Sequence, residues 1–355
     1  MRSYPFNGGD ALTYSPAGFL WENALKHQKS VRAYGEYANE FRGPTERFGT
    51  WTDWYRDYQI GRGEREGQPH VQPGEFQTHS DVPSLDKLLD RDYPPYTNAI
   101  PDVLRADIFL KEFKQYEESG KLPNLVTMQL NTDHTSGTAR DLPTPRAQVA
   151  DNDLALGRVV ESISRSRYWK DSAIFVIEDD TQAGLDHVDG HRTPAYVISP
   201  WVKRDGSVDS MFYTQIDMVR TIEQILGLPP MNQMDLAATP MRTLFTAEAD
   251  TRPYEAAENR IALDELNPGS TPPTATARQA LSPIQKEWAD ASDAMGFDDP
   301  DAKPDENDEN KLNRAIWYGT KGFATPYPGD RRVLRPGEVK PAEGHDSEAD
   351  GKGED

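Results

Sequence analysis

Three apolar runs of strand length constrain the fold of this 355-residue chain more than any other feature. They are LVTMQL at 125–130, AIFVI at 173–177 and AYVIS at 195–199. Nearly continuous apolar strands are typical of parallel sheets that are covered on both faces. The runs therefore predict a buried sheet rather than one with a solvated face.

Segments with helical spacing alternate with these runs. One, at 103–119, ends at Gly120, which fits a helix C-cap. A second begins at Pro145, because proline fits the first helical turn, and a third ends near Gly227. We therefore predict an α/β fold with a largely parallel sheet, flanking helices and long loops. Residues 40–82 show only weak periodicity and are predicted to form a long ordered excursion over the surface.

Pattern and composition divide the chain into three parts. Residues 1–250 carry the strand and helix patterns of the α/β domain. Residues 251–330 form a weaker extension that is predicted to pack on this domain, and 331–355 read as a disordered acidic tail. The N-terminus has no apolar signal core.

The charge and the cysteine count exclude several classes of function. The formal net charge is −20, whereas proteins that bind nucleic acids or anionic membranes present a basic face. No run reaches the roughly 18 apolar residues of a membrane span. The chain contains no cysteine, so oxygen or histidine ligands must hold any metal. We expect no nucleic-acid partner and no integral membrane segment.

Two polar clusters directly follow predicted strands. Asn131, Asp133 and His134 come after the first apolar run, and Asp179 and Asp180 come after the second. Ligands of open α/β sheets bind beyond the carboxyl ends of strands, so these clusters face each other if the strands are parallel neighbours. Adjacent carboxylates repel each other unless a cation or a proton intervenes. The clusters therefore predict a site for a divalent cation.

Two histidines, His187 and His191, lie in the segment after the second cluster and could bind the metal or a substrate oxygen. In the alternative, the carboxylates only cap turns and the histidines are solvated. Two clusters at strand ends favour the metal site. A zinc-protease helix requires Glu after the first histidine, where this chain has Val188, and Gly190 disfavours a helix.

The stretch FVIEDDTQAGLDHVDGHRTPAYVISPWV at 175–202 resembles the metal-binding segment of bacterial phosphoesterases of the alkaline phosphatase superfamily. That family includes acid phosphatases and phospholipases C, and the stretch is most similar to its domains that are fused to a β-propeller. In that family two carboxylates follow a strand, and the sequence Asp-His-Val follows a few residues later; this chain matches both features. The segments 18–41, 122–137, 213–228 and 313–329 resemble other parts of the family in the same order.

The resemblance implies an alkaline-phosphatase-like fold and metal-dependent hydrolysis of a phosphoester, through attack by a metal-activated Ser or Thr. The implied metal is Zn, Ca, Mg or Mn. The implied roles are metal ligands for Asp179, Asp180 and His191, catalysis for His134 and His187, and further candidate ligands for Asn131 and Asp133. A periplasmic or secreted location follows from the same resemblance.

The resemblance also begins inside the family's domain. The family's first metal ligands and its nucleophile lie upstream of the segment that contains Leu20 and Trp21. We therefore expect an N-terminally incomplete domain with no identified nucleophile, and the missing N-terminal half or a β-propeller as a partner. Two functions remain open: a phosphoester hydrolase, and a non-catalytic fragment that binds a metal or a partner protein.

Overall fold

The protein is seen in a computed structural model that describes residues 13–137, 139, 141–179, 192–267, 282–286, 290 and 309–329. The helices are α1 Leu20–Lys26, α2 Trp51–Gly61, α3 Pro83–Asp86, α4 Asp102–Ser119, α5 Pro145–Arg165, α6 Gln215–Leu226, α7 Gln233–Ala237 and α8 Glu309–Lys321. The strands are β1 Val31–Tyr34, β2 Glu40–Arg42, β3 Gln77–His79, β4 Leu125–Met128, β5 Ile174–Ile177 and β6 Ala195–Ile198. The chain is therefore a mixed α/β structure, as predicted.

Strands β1 and β4 pair in parallel, with Val31 opposite Leu125. Side chains alternate between the two faces of the pair. One face presents Tyr34 to the largest buried cluster, which includes Phe109 of α4 and Val159 of α5. The predicted parallel arrangement is confirmed for this pair.

The opposite face of the same pair is also covered. Leu125 packs there with Ala24 of α1 and with Leu228, which follows α6. Ala33 of β1 packs with Trp21 and its neighbours in a separate cluster. Burial on both faces explains why β4 reads as an almost continuous apolar run.

Strands β5 and β6 pair antiparallel, with Ile177 opposite Ala195, and β2 and β3 are antiparallel as well. The described residues thus form three two-stranded sheets, and the predicted largely parallel sheet is limited to β1 and β4. The connection at 178–194 is long enough for a crossover or for a hairpin loop, so the apolar pattern did not determine the strand direction. Strands β4 and β5 lie in different sheets.

The region 40–82 is more regular than predicted. It contains β2, α2 and β3. Trp51, Trp54 and Tyr58 lie on one face of α2 and are buried. Thr50 and Asp53 form a capping box that fixes the start of this helix.

The predicted helix ends are confirmed. Gly120 ends α4 with φ 73°, and Gly227 ends α6 with φ 69°, both in the left-handed region that favours glycine. Pro145 begins α5, and the Thr144 side chain accepts a hydrogen bond from Ala147 N. Capping chemistry was therefore a reliable guide to the long helices.

The C-terminal extension contains α8, which contacts α5. Leu312, Ala315 and Tyr318 of this helix are buried. The predicted tail, 331–355, lies outside the described residues. Within the described ranges, no helix has both the length and the apolar character needed to cross a membrane.

Candidate functional site

The carboxyl ends of β1 and β4 lie side by side. Gln129 N donates to Tyr34 O at 3.0 Å just beyond the paired residues. The chain continues from β1 to Glu36, and from β4 through Asn131 into a short 3-10 turn, Thr132–His134. Parallel pairing thus brings both polar segments to the same edge.

Gly35 fixes the position of Glu36. Its φ is 74°, and an added Cβ would lie 2.8 Å from Pro94 O and 2.9 Å from a ring carbon of Tyr93. A side chain at this position would therefore clash with the loop that precedes α4. The close approach holds the chain after β1 against that loop.

Asp102, the first residue of α4, anchors the turn after β4. Its carboxylate accepts from Thr132 N at 2.9 Å, from Thr132 Oγ1 at 2.8 Å and from Asn131 N at 3.3 Å. Asn152 Nδ2 of α5 donates to both Asp102 Oδ2 and Asp133 Oδ1, each at 3.1 Å. Two helices thus hold the turn that carries Asp133.

Asp102 is part of a buried charged network. Arg105 Nη1 lies 3.0 Å from Asp102 Oδ1, and both side chains are completely buried. Asp151 accepts from Asp102 N at 2.6 Å, and its Oδ2 lies 3.0 Å from Thr132 Oγ1. Burial, and then the Asp102 charge, raise the pKa of Asp151 to about 7. The Asp151 carboxyl therefore keeps its proton to a higher pH than an exposed aspartate does.

His134 is oriented by the backbone and by an aromatic ring. Its Nδ1 lies 3.1 Å from Thr135 O, and its ring meets Tyr96 edge-on, with 5.4 Å between centroids. A carbonyl oxygen only accepts, so Nδ1 carries the hydrogen and Nε2 carries the lone pair of the neutral ring. Nε2 is therefore the nitrogen able to accept a proton or a metal.

Carboxylates from β5 approach the same region. Gln215 Nε2, at the start of α6, donates to Asp179 O at 2.7 Å and to Glu178 O at 3.4 Å. Burial, and then the Glu178 charge, raise the pKa of Asp133 to about 7. Burial, and then the Asp179 charge, also raise the pKa of Glu36. Carboxylates that follow three strands repel one another here, which a bound cation would relieve.

Asn131 offers an oxygen that lacks a hydrogen-bond partner. Its side chain is 5% exposed, Nδ2 donates to Asn98 Oδ1, and Oδ1 accepts no hydrogen bond from any described group. A buried amide oxygen near carboxylates fits the oxygen ligands that Ca²⁺, Mg²⁺ and Mn²⁺ prefer. However, no group of three or more Asp, Glu and His in the described ranges could hold a metal ion. The predicted residues Asp180, His187 and His191 lie outside those ranges.

Sequence reasoning overlooked three acidic residues of this region. Glu178 directly follows the predicted strand at 173–177, so its position was a usable signal, whereas Glu36 follows β1, a strand of only four residues. Asp102 gave no such signal, because an acidic residue in the first turn of a helix is ordinary. Its role becomes visible only through contacts with residues about thirty positions away in sequence.

A sequence model described as the Phosphoesterase family matches residues 87–229. The matched segment includes Asn131, Asp133, His134 and Asp179. No curated protein matches the chain. The family match supports the similarity between this part of the chain and phosphoesterases.

Proposed function

We propose that the chain is a metal-dependent phosphoester hydrolase of the phosphatase or phosphodiesterase type. The observation that carries the proposal is the position of Glu36, Asp133 and Asp179 after three strands, where burial and then neighbouring carboxylates raise the pKa values of Glu36 and Asp133. The Phosphoesterase family match at 87–229 supports the class of substrate. An alkaline-phosphatase-like fold is part of the same proposal.

In the proposed site, Asp179, Asp180 and His191 hold the divalent metal, and Asn131 and Asp133 add oxygen ligands. A metal bound there supplies charge that stabilises a phosphoryl oxygen in the transition state. The donors on this chain are mainly oxygens, which favours Ca²⁺, Mg²⁺ or Mn²⁺.

The chain's own histidines handle protons in this proposal. His134 holds Nδ1–H against Thr135 O, so Nε2 is the atom that exchanges a proton with a phosphoester oxygen. His187 is proposed for a second contact with the substrate. The carbonyl of Thr135 stabilises the charged ring when Nε2 is protonated.

The attacking group is not supplied by the hydroxyl of Thr132. This side chain is fully buried, and its oxygen lies 2.8 Å from Asp102 Oδ2 and 3.0 Å from Asp151 Oδ2, so it is not accessible to a phosphorus atom. Because neither the sequence nor the described residues identify a nucleophile, we also propose a second candidate function, in which the chain binds a metal or a partner protein without turnover.

A direct test combines metal binding with hydrolysis. The full chain is titrated calorimetrically with Mn²⁺, Ca²⁺, Mg²⁺ and Zn²⁺, and assayed on p-nitrophenyl phosphate and on bis-p-nitrophenyl phosphate. We expect a chelator to abolish hydrolysis, and Asp179→Asn to lower kcat/KM on the order of 100-fold. Asp171→Asn is the matched control, because Asp171 is an exposed aspartate at the other end of β5.

The outcomes separate the two candidate functions. Metal-dependent hydrolysis that falls in Asp179→Asn but not in Asp171→Asn supports the hydrolase. Metal binding without hydrolysis of either ester supports the non-catalytic function. A chain that binds none of the four ions contradicts both metal-binding proposals.

A further inference from the structure

Asn98 joins the two ends of the turn that carries Asp133 and His134. Its Nδ2 donates to Thr135 O at 2.8 Å, after the turn. Its Oδ1 accepts from Asn131 Nδ2 at 3.0 Å, before the turn. One partly buried amide from the loop before α4 thus bridges the whole turn.

The hydrogen-bond chemistry leaves only one orientation for both amides. Thr135 O can only accept, so the end of Asn98 that faces it must be the NH2 group. The other end of Asn98 is then an oxygen, and it requires the NH2 group of Asn131. The oxygen of Asn131 must therefore point away from Asn98, and this is the buried Oδ1 that has no partner among the described residues.

The backbone at Thr135 indicates that this arrangement is maintained against strain. Thr135 has φ 59° and ψ 166°, which is unfavourable for a β-branched residue. Asn98 donates to its carbonyl, and Gln148 Oε1 accepts from the next amide, Ser136 N, at 2.8 Å. Such strain persists only where surrounding contacts enforce it, and it concentrates at functional sites.

We propose that Asn98 is a positioning residue that makes Asn131 present oxygen rather than NH2 to a divalent cation bound beside Asn131 and Asp133. The inference rests on the proposed metal-dependent function. An inverted Asn131 would direct an NH2 group at the cation, which binds only lone-pair donors. Outer contacts of this kind typically change metal affinity by about 10- to 100-fold.

The test is a double-mutant cycle on the full chain, with the Mn²⁺ dissociation constant as the readout. Asn98→Ala is expected to weaken Mn²⁺ binding by about 10-fold or more, because Asn131 is then free to invert. Asn131→Asp offers an oxygen in either orientation. In that background we expect Asn98→Ala to weaken binding by less than about twofold, whereas a purely structural role would give equal losses in both backgrounds.

Asn39→Ala is the matched control. Asn39 also uses both ends of its amide, donating to Asp81 Oδ2 at 2.7 Å and accepting from Asp81 N at 2.9 Å, away from the proposed site. Its loss should leave Mn²⁺ affinity within about twofold of wild type. If Asn98→Ala does not fold, Asn98→Ser takes its place in the cycle.

Three results would overturn the inference: unchanged affinity in Asn98→Ala, equal losses in both backgrounds, or no Mn²⁺ binding by Asn131→Asp. If wild type binds no divalent ion, the proposed function fails, and the amide orientation is tested separately. In the metal-free protein, NMR should show slower exchange of the Asn131 side-chain NH2 protons in wild type than in Asn98→Ala. Equal exchange rates would overturn the orientation itself.

Discussion

At the scale of single residues, Asp102 links the candidate site to the stability of the fold. Its carboxylate accepts two hydrogen bonds from Thr132 and pairs with Arg105 in a fully buried environment. The other Arg105 bonds go to backbone oxygens of Pro95, Thr97 and Ile100. Asp102 is thus the carboxylate that neutralises the positive charge of the Arg105 guanidinium.

Asp102→Ala should lower the free energy of unfolding by about 3 to 5 kcal/mol, because the charge of Arg105 is left buried and unpaired. Urea unfolding of wild type and variant measures the change. The control is Glu161→Ala, which removes the exposed pair with Arg165 on α5 and should cost about 0.5 kcal/mol or less. A loss of only about 1 kcal/mol in Asp102→Ala would show that Arg105 does not depend on Asp102.

The position of residues that directly follow strands could be predicted from the sequence. Contacts between residues that are distant in sequence could not. Asn131, Asp133 and His134 were identified because they come after an apolar run of strand length. Asn98 lies in a loop without periodicity, and its partners are 33 and 37 residues away. Neither propensity nor spacing encodes such contacts, since they depend on how α4 packs beside β4.

At the scale of secondary-structure elements, α6 and α7 are joined by a buried carboxyl pair. Glu223 of α6 is fully buried, accepts from Arg220 at 3.0 Å, and interacts with Asp235 of α7. Burial and the Asp235 contact raise the pKa of Glu223 to about 7, against an ordinary value of 4.5. The protonated form of Glu223 is therefore favoured in the folded protein.

This pair makes stability depend on pH. The folded protein binds the Glu223 proton more tightly than the unfolded chain, so its stabilising contribution is complete below about pH 4.5 and is lost as pH rises towards about 7. Glu223→Gln mimics the protonated carboxyl and should lose less stability than wild type between pH 5 and about pH 8.

Urea midpoints at several pH values measure this difference. Glu258→Gln, at an exposed position, should follow the wild-type profile. Parallel pH profiles for wild type and Glu223→Gln would show that another group is responsible.

The elements were predicted well where local chemistry defines them. Gly120, Pro145 and Gly227 mark helix ends in the sequence and in the structure. The direction of β6 was not predictable, because it depends on how the connection at 178–194 returns to β5. Helix α2 was missed although its buried aromatic residues have helical spacing, since Gly, Pro and Arg dominate the flanking segments.

At the scale of the whole molecule, a net charge of −20 coexists with exposed apolar side chains in one segment after β6. Val208 is 88% exposed and Phe212 is 79% exposed, and Met211 and Trp201 are also exposed. Charge repulsion keeps molecules apart at low ionic strength, and salt screens it. Exposed apolar groups then become points of association.

We expect self-association to increase between about 20 mM and 500 mM NaCl, because the Debye length falls well below about 10 Å. Val208→Ser combined with Phe212→Ser should reduce this increase, which sedimentation velocity measures. Val149→Ser on α5 removes a similarly apolar, 48% exposed side chain elsewhere and serves as the control. Equal association of the double variant and wild type would place the contact outside this segment.

The hairpin of β5 and β6 also bears on how this chain can diverge. Ile177 faces Ala195, and Glu178 N donates to Pro194 O at 3.3 Å, so both ends of the intervening segment are fixed beside each other. A segment closed in this way tolerates insertions and deletions with little effect on the strands that carry it. The chain can therefore diverge in the length of this segment while the pairing of β5 with β6 is kept.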